Sequence, residues 1–205
     1  YKSEVLSDAP ESAYRSLRCR SNVYVPQKPM STLVPFITIC SLLIKPLRVG
    51  LGLSKKEATQ RSLDLLARVG IPNPRRTFDA YPFEVSGGMA QRVLIAGAVS
   101  MEPDLIIADE ATTALDVTVQ AEVLDLLRDL QSERGMAMLL VTHNFGVVAD
   151  LCDRVTVMRN GRFIEQGPVR TILRSPEHRY TQSLLDAILE DGPARGALAQ
   201  AGGSK

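Results

Sequence analysis

Two adjacent acids, Asp109 and Glu110, close an aliphatic run in the string "LIIADE". In open α/β sheets, ligands bind beyond the carboxyl ends of the strands. Two carboxylates at such an edge suit a phosphate-bound Mg²⁺ and a base that activates water. Asp109 would hold the metal, because hard cations prefer oxygen ligands. Glu110 would take or orient the proton of the attacking water. Taken alone, an acid pair is more often a solvated strand end.

Three further groups extend the pattern. "VTH" places His143 at the end of a second apolar run. An imidazole there could donate a hydrogen bond to a phosphate, although a lone histidine more often caps a loop. Gln27 ends a third run in "VPQKP", and its amide can donate and accept, touching a metal and a water together. "VSGGMAQRV" joins a serine and two glycines to the start of a helix. Such a turn points backbone N–H groups at an anion.

The elements that position these groups alternate along the chain. "NVYVPQ", residues 22–27, reads as a short strand ending at proline. "DLIIAD", 104–109, and "MAMLLVTH", 136–143, read as strands buried on both faces. Met89, Val93, Ala96, Gly97 and Ser100 recur with helical spacing after the double glycine, and Val119, Val123, Leu126, Leu127 and Leu130 share one side of a second helix. "TTALD" leads into that helix, with Asp116 near its N-terminus. Strand, helix and strand in this order imply a parallel sheet with helical crossovers.

Outside this core, Ser54 and Glu57 form a capping box that opens a helix over 54–69, stopped by Gly70 and followed by the loop "IPNPRR". "RVTVMRNGRFIEQG" reads as a hairpin turning at Asn160-Gly161. A helix is expected over 180–190, and a disordered Gly/Ala-rich tail after it. The run "LVPFITICSLLIKPL", 33–47, is too short to span a bilayer and is broken by Pro35, Lys45 and Pro46. It reads as buried or half-buried structure and as a candidate docking surface.

The bulk numbers are those of a globular protein. The 205 residues are 45% hydrophobic and 23% charged, with a net charge of +1. That balance gives no case for a nucleic-acid partner. Three scattered cysteines form neither a disulfide framework nor a metal pair, which suits a reducing compartment.

Gln27, "VSGG", "LIIADEATTALD" and "VTH" stand in an order that resembles the motif series of ABC-transporter ATPases: Q-loop, signature, Walker B with D-loop, and switch strand. "DEATTALDVTVQAEVLDLL" and "SPEHRYTQSLL" resemble the branch that imports dipeptides, oligopeptides, nickel and related solutes. The resemblance implies an α/β fold, a partial P-loop NTPase core with a parallel sheet and an α-helical subdomain. Its expected divisions are 1–28, the end of an N-terminal core; 29–84, the helical subdomain; 85–167, the signature-to-switch part; and 168–205, the C-terminal helix and tail.

It further implies ATP and Mg²⁺ as cofactors, Glu110, His143 and Gln27 as catalytic groups, and Asp109 and Gln27 at the metal. Ser86, Gly87, Gly88 and Asp116 would contact nucleotide, with the signature reaching ATP held by a second ATPase subunit. Transmembrane permease subunits and a peripheral place on the cytoplasmic face of the membrane complete the picture. Ala111 and Lys28 depart from the residues usual in the branch.

The phosphate loop G-x-x-x-x-G-K-[ST] does not occur in these 205 residues. In the family it precedes the Q-loop, so the chain is expected to start after it and to lack turnover alone. Two readings stay open: the C-terminal portion of an importer ATPase, or a degenerate or truncated cassette that only pairs with a complete subunit.

Overall fold

A computed structural model describes residues 22–111 and 116–190. They fall into two units, one ending at Val141 and the other beginning at Thr142.

The first unit is built on a three-stranded parallel sheet in the order β1 (Asn22–Val25), β2 (Leu105–Asp109), β3 (Ala137–Val141). The register sets Tyr24 beside Ile107 and Ile107 beside Leu139, and it sets Val25, Ala108 and Leu140 in the next row. Side chains alternate across a sheet. Val25, Ile106 and Ala108 therefore point together into the core, with Val23, Met138 and Leu140 packed at its edge.

All described elements between β1 and the glycine turn are helical. They are α1 (Pro29–Thr32), α2 (Ile39–Leu51), α3 (Lys55–Arg68), α4 (Pro74–Asp79) and a 3₁₀ turn over Pro82–Glu84. α5 (Gly87–Ser100) follows, packing on β1, α2 and α3, and α6 (Val117–Arg134) closes the unit through Val123, Leu126, Leu127 and Leu130. The capping box is present with both bonds: Glu57 N–H donates to Ser54 Oγ at 3.3 Å, and Ser54 N–H to Glu57 Oε2 at 2.9 Å. In "LVPFITICSLLIKPL" Leu33 is buried, the residues after it form an exposed loop in which Phe36 is 87% exposed, and the rest enters α2, whose Ile39, Leu43, Ile44 and Leu47 are buried.

Three expectations need correction. "IPNPRR" is not all loop: Asn73 Oδ1 accepts from Arg76 N–H and Pro74 fills the first helical position, so a helix starts there. β2 is buried on one face only, its side chains alternating between buried and half-buried. β3 is an edge strand whose residues alternate between exposed and half-buried, with Leu139 53% exposed. The aliphatic runs suggested cover on both faces, but among the described residues helices fill only one.

The second unit holds α7 (Phe145–Leu151), the antiparallel pair β4 (Arg154–Arg159) and β5 (Arg162–Pro168), α8 (Val169–Arg174) and α9 (Arg179–Glu190). The hairpin turns as expected. Arg159 pairs with Arg162, and Asn160 and Gly161 both have positive φ, 49° and 74°, the signature of a type I′ turn. The tail after residue 190 lies outside the described residues.

Candidate functional site

The carboxyl end of the sheet brings Gln27, Asp109 and Glu110 together. β1 ends at Val25, and Gln27 follows Pro26 by one residue. The Gln27 side-chain Nε2–H donates directly to Glu110 Oε2. Glu110 stands one residue past β2 in the left-handed region, at φ 45°, while its N–H donates to Val141 O at 2.8 Å. For a residue with a Cβ this conformation costs about 1–2 kcal/mol. The bond to β3 and the bond from Gln27 hold it there, and such strain concentrates where a side chain is being aimed.

Asp109 has a partner that the sequence did not disclose. Tyr24 Oη donates to Asp109 Oδ2 at 2.8 Å. Tyr24 lies beside Ile107, two residues from Asp109 on the same face, and a phenol is long enough to reach this diagonal neighbour. The bond and the negative charge raise the Tyr24 phenol above its ordinary range, the hydrogen bond contributing most. The available signal was the alternation of "NVYV", which turns Tyr24 away from Val23 and Val25.

The serine–glycine turn forms as expected. Ser86 N-caps α5, its Oγ accepting from Met89 N–H at 3.3 Å, and its carbonyl accepts from Ala90 N–H at 2.8 Å. The amides of Gly87 and Gly88 precede these bonds and lie outside the helix's own ladder. A Cβ built on Gly87 would meet no atom within 4 Å, so the turn is open to an approaching group. Asp116 N-caps α6, its Oδ1 accepting from Val119 N–H at 2.9 Å. Thr112 to Leu115 of "TTALD" lie outside the described residues. His143 belongs to the second unit, where it is exposed.

Two buried residues of α5 were not singled out by sequence. Gln91 is 1% exposed and donates from Nε2 to Pro26 O at 3.3 Å. Arg92 is 8% exposed and donates to Val69 O at 3.1 Å, to Gly70 O at 2.5 Å and to Glu122 Oε2 at 3.2 Å. Arg92 thus closes the C-terminal end of α3, whose last carbonyls lack helical partners, and ties it to α6.

The donor set fits a hard cation bound with phosphate. Among the described residues no three His, Cys, Asp or Glu side chains cluster into a metal cage. A Mg²⁺ bound chiefly by phosphate oxygens and water needs only one or two carboxylates. Asp109, fixed at one oxygen by Tyr24, has a second to offer. Among the described residues no helix is long and apolar enough to cross a membrane.

A three-stranded parallel core with an acid pair at its carboxyl edge and an open serine–glycine helix start is the cassette class of α/β nucleotide-binding fold. The chain belongs to the ABC transporter family, whose sequence profile matches residues 4–113. Over 189 residues it is 50% identical to a protein of Brucella melitensis named for peptide import and ATP binding, covering 92% of this chain and 56% of that one. It is 46% identical over 178 residues to the peptidoglycan transport ATP-binding protein YejF of Agrobacterium fabrum, covering 87% of this chain and 33% of that protein.

The chain thus spans about half the length of its Brucella relative. Among solved structures, it matches the dimeric post-hydrolysis state of the ATP-binding cassette MJ0796 bound to ADP and Pi, with a TM-score of 0.72 and 27% identity, over 79% of this chain and 68% of that one. It matches cbiO1 of Clostridium perfringens with a TM-score of 0.64 and 27% identity, over 94% and 72% of the two chains.

Proposed function

We propose that this chain is part of the ATP-binding and ATP-hydrolysing subunit of an ABC importer that takes up peptides or related solutes. The observation that carries the reading is the Gln27–Glu110 bond beside Asp109 at the carboxyl edge of a parallel sheet. Membership of the family and the names of the Brucella relatives support it. The divisions at 28, 84 and 167 belong to this proposal, with 29–84 as the helical subdomain facing a permease.

In this reading Asp109 and Gln27 would hold a Mg²⁺, which would supply positive charge against the nucleotide phosphates. Asp109 offers the metal an oxygen, oriented by the Tyr24 hydroxyl. Glu110 receives the proton of the attacking water, and the Gln27 amide holds its carboxylate towards that water and reaches the metal. His143 donates a hydrogen bond to the γ-phosphate. The Ser86 hydroxyl and the Gly87 and Gly88 amides bind the phosphate of ATP on a second subunit, with Asp116 beside that interface. The absence of a G-x-x-x-x-G-K-[ST] string from these residues leaves the signature turn as their principal phosphate contact. The assembly would sit at the cytoplasmic face of a membrane, bound to permease subunits.

The test is steady-state ATP turnover by a chimera joining this chain to the additional length of its Brucella melitensis relative. Turnover is expected in the chimera and lost in Glu110→Gln, which instead accumulates ATP-bound dimers. Equal turnover in both overturns the role of Glu110. Turnover in neither overturns the ATPase reading.

A further inference from the structure

The Gln91 amide lies inside the first unit, with one end bonded and the other end alone. The end facing Pro26 must be the NH₂, because a carbonyl oxygen can only accept. Nε2 donates to Pro26 O at 3.3 Å, while the buried Oε1 has no hydrogen-bond partner. The Pro26 bond is therefore the one defined polar use of a side chain that is 1% exposed. It joins the helix that starts at the serine–glycine turn to the residue immediately before Gln27.

The peptide bond is planar, so Pro26 O and Gln27 N share one rigid plane. The proline ring fixes φ on the other side of that carbonyl. Holding Pro26 O thus fixes the direction in which the chain leaves for Gln27. Gln27 is exposed, and its side chain reaches Glu110. Arg92, the next residue of α5, fastens the helix to Val69, Gly70 and Glu122. The strut therefore starts from a helix that is itself held.

We propose that Gln91 is a positioning residue, which links α5 to Gln27 through the Pro26–Gln27 peptide plane and so aims the Gln27 amide at Glu110. The inference rests on the proposed ATPase reading for its purpose, since it would let phosphate engaged at Ser86–Gly88 adjust the group that orients the base. The linkage itself requires no nucleotide.

The experiment is nitrogen-resolved NMR of this chain, following the Gln27 side-chain amide, assigned with Gln27→Ala. Gln91→Leu keeps the shape and removes the donor. The Gln27 signal is expected to move to that of a solvated glutamine, and its exchange with water to quicken about fivefold to tenfold, the equivalent of one neutral hydrogen bond. Val69 and Gly70 signals should stay in place, showing that the Arg92 clamp is intact.

Gln91→Glu supplies the rescue. Protonated, its carboxyl donates O–H to Pro26 O and restores the Gln27 signal; ionised, it repels that carbonyl and the signal is lost. If Gln91→Leu does not fold, the difference in pH dependence between Gln91→Glu and the parent chain decides alone. A Gln27 signal unchanged in Gln91→Leu, or with the same pH dependence in Gln91→Glu as in the parent, overturns the proposal. Either result is independent of whether the chimera turns over ATP.

Discussion

Tyr24 on β1 donates its phenolic hydrogen to Asp109 at the end of β2, 2.8 Å away. The bond favours the neutral phenol, and the neighbouring negative charge opposes phenolate formation, so the folded-state pKa is raised. Stability from a raised pKa is fully present below the unfolded value and is lost as pH rises through the folded one. Ultraviolet titration of phenolate formation should therefore show a component above the ordinary tyrosine range. Tyr24→Phe should remove that component, and Asp109→Asn should return it towards the ordinary range. A titration identical in all three proteins would contradict the bond.

Glu165 works in the opposite sense. Its carboxyl is held below the usual range by the Thr181 hydroxyl first, then by the backbone N–H groups of Glu177 and His178, with a smaller effect of the His178 charge. Glu177 N–H donates to Oε1 at 2.8 Å and His178 N–H to Oε2 at 3.3 Å. The buried Thr181 hydroxyl faces the carboxylate without meeting the geometry of a hydrogen bond, so the two backbone bonds are the structural tie. A depressed pKa gives stability that is present above the unfolded value and lost as pH falls through the folded one. The Glu165 carboxyl carbon should titrate below an ordinary glutamate by NMR. Glu165→Gln should bring the acid unfolding of the hairpin and α9 to higher pH.

Gly70 is required twice over. Its φ is 71°, and an added Cβ would collide with the Arg92 guanidinium. Gly70→Ala should lower unfolding free energy by about 1–3 kcal/mol, combining left-handed strain with displacement of a buried charged donor. Arg92→Met should cost a similar amount, and the double variant should fall short of the sum because both act on one contact. Denaturant melts of the three variants check this; strict additivity would mean that the clamp is not shared.

Where the sequence was legible, short-range physics decided the outcome. The capping box at Ser54 and Glu57 and the turn at Asn160-Gly161 need only neighbours in the chain, and both formed. The acid pair could be placed at a strand end because its aliphatic run stops at Asp109. What escaped depended on distant neighbours. Gln91 and Arg92 read as polar helix residues, yet both are buried, because each finds backbone carbonyls brought to it by β1 and by the end of α3. The sequences of β2 and β3 state that the strands are apolar. They do not state whether anything lies over the face that carries Tyr24, Ile107 and Leu139.

Gly87 separates folding from binding. It is the first residue of α5, its φ is not positive, and a Cβ there meets open space. Alanine at such a site restricts the unfolded chain and should raise stability by about 0.4–1 kcal/mol. The same methyl stands where a phosphate would have to approach the Gly87 and Gly88 amides. In the chimera, Gly87→Ala should therefore give a higher melting temperature together with at least a tenfold loss of ATP-dependent dimerisation, the equivalent of one charge-assisted hydrogen bond. Ser86→Ala, by contrast, removes both a helix cap worth about 1 kcal/mol and a proposed phosphate contact, so stability and dimerisation should fall together. If Gly87→Ala dimerised as well as the parent, the turn would be a helix cap and nothing more. The opposite signs of its two effects make the distinction, because no purely structural role for Gly87 raises stability while weakening association.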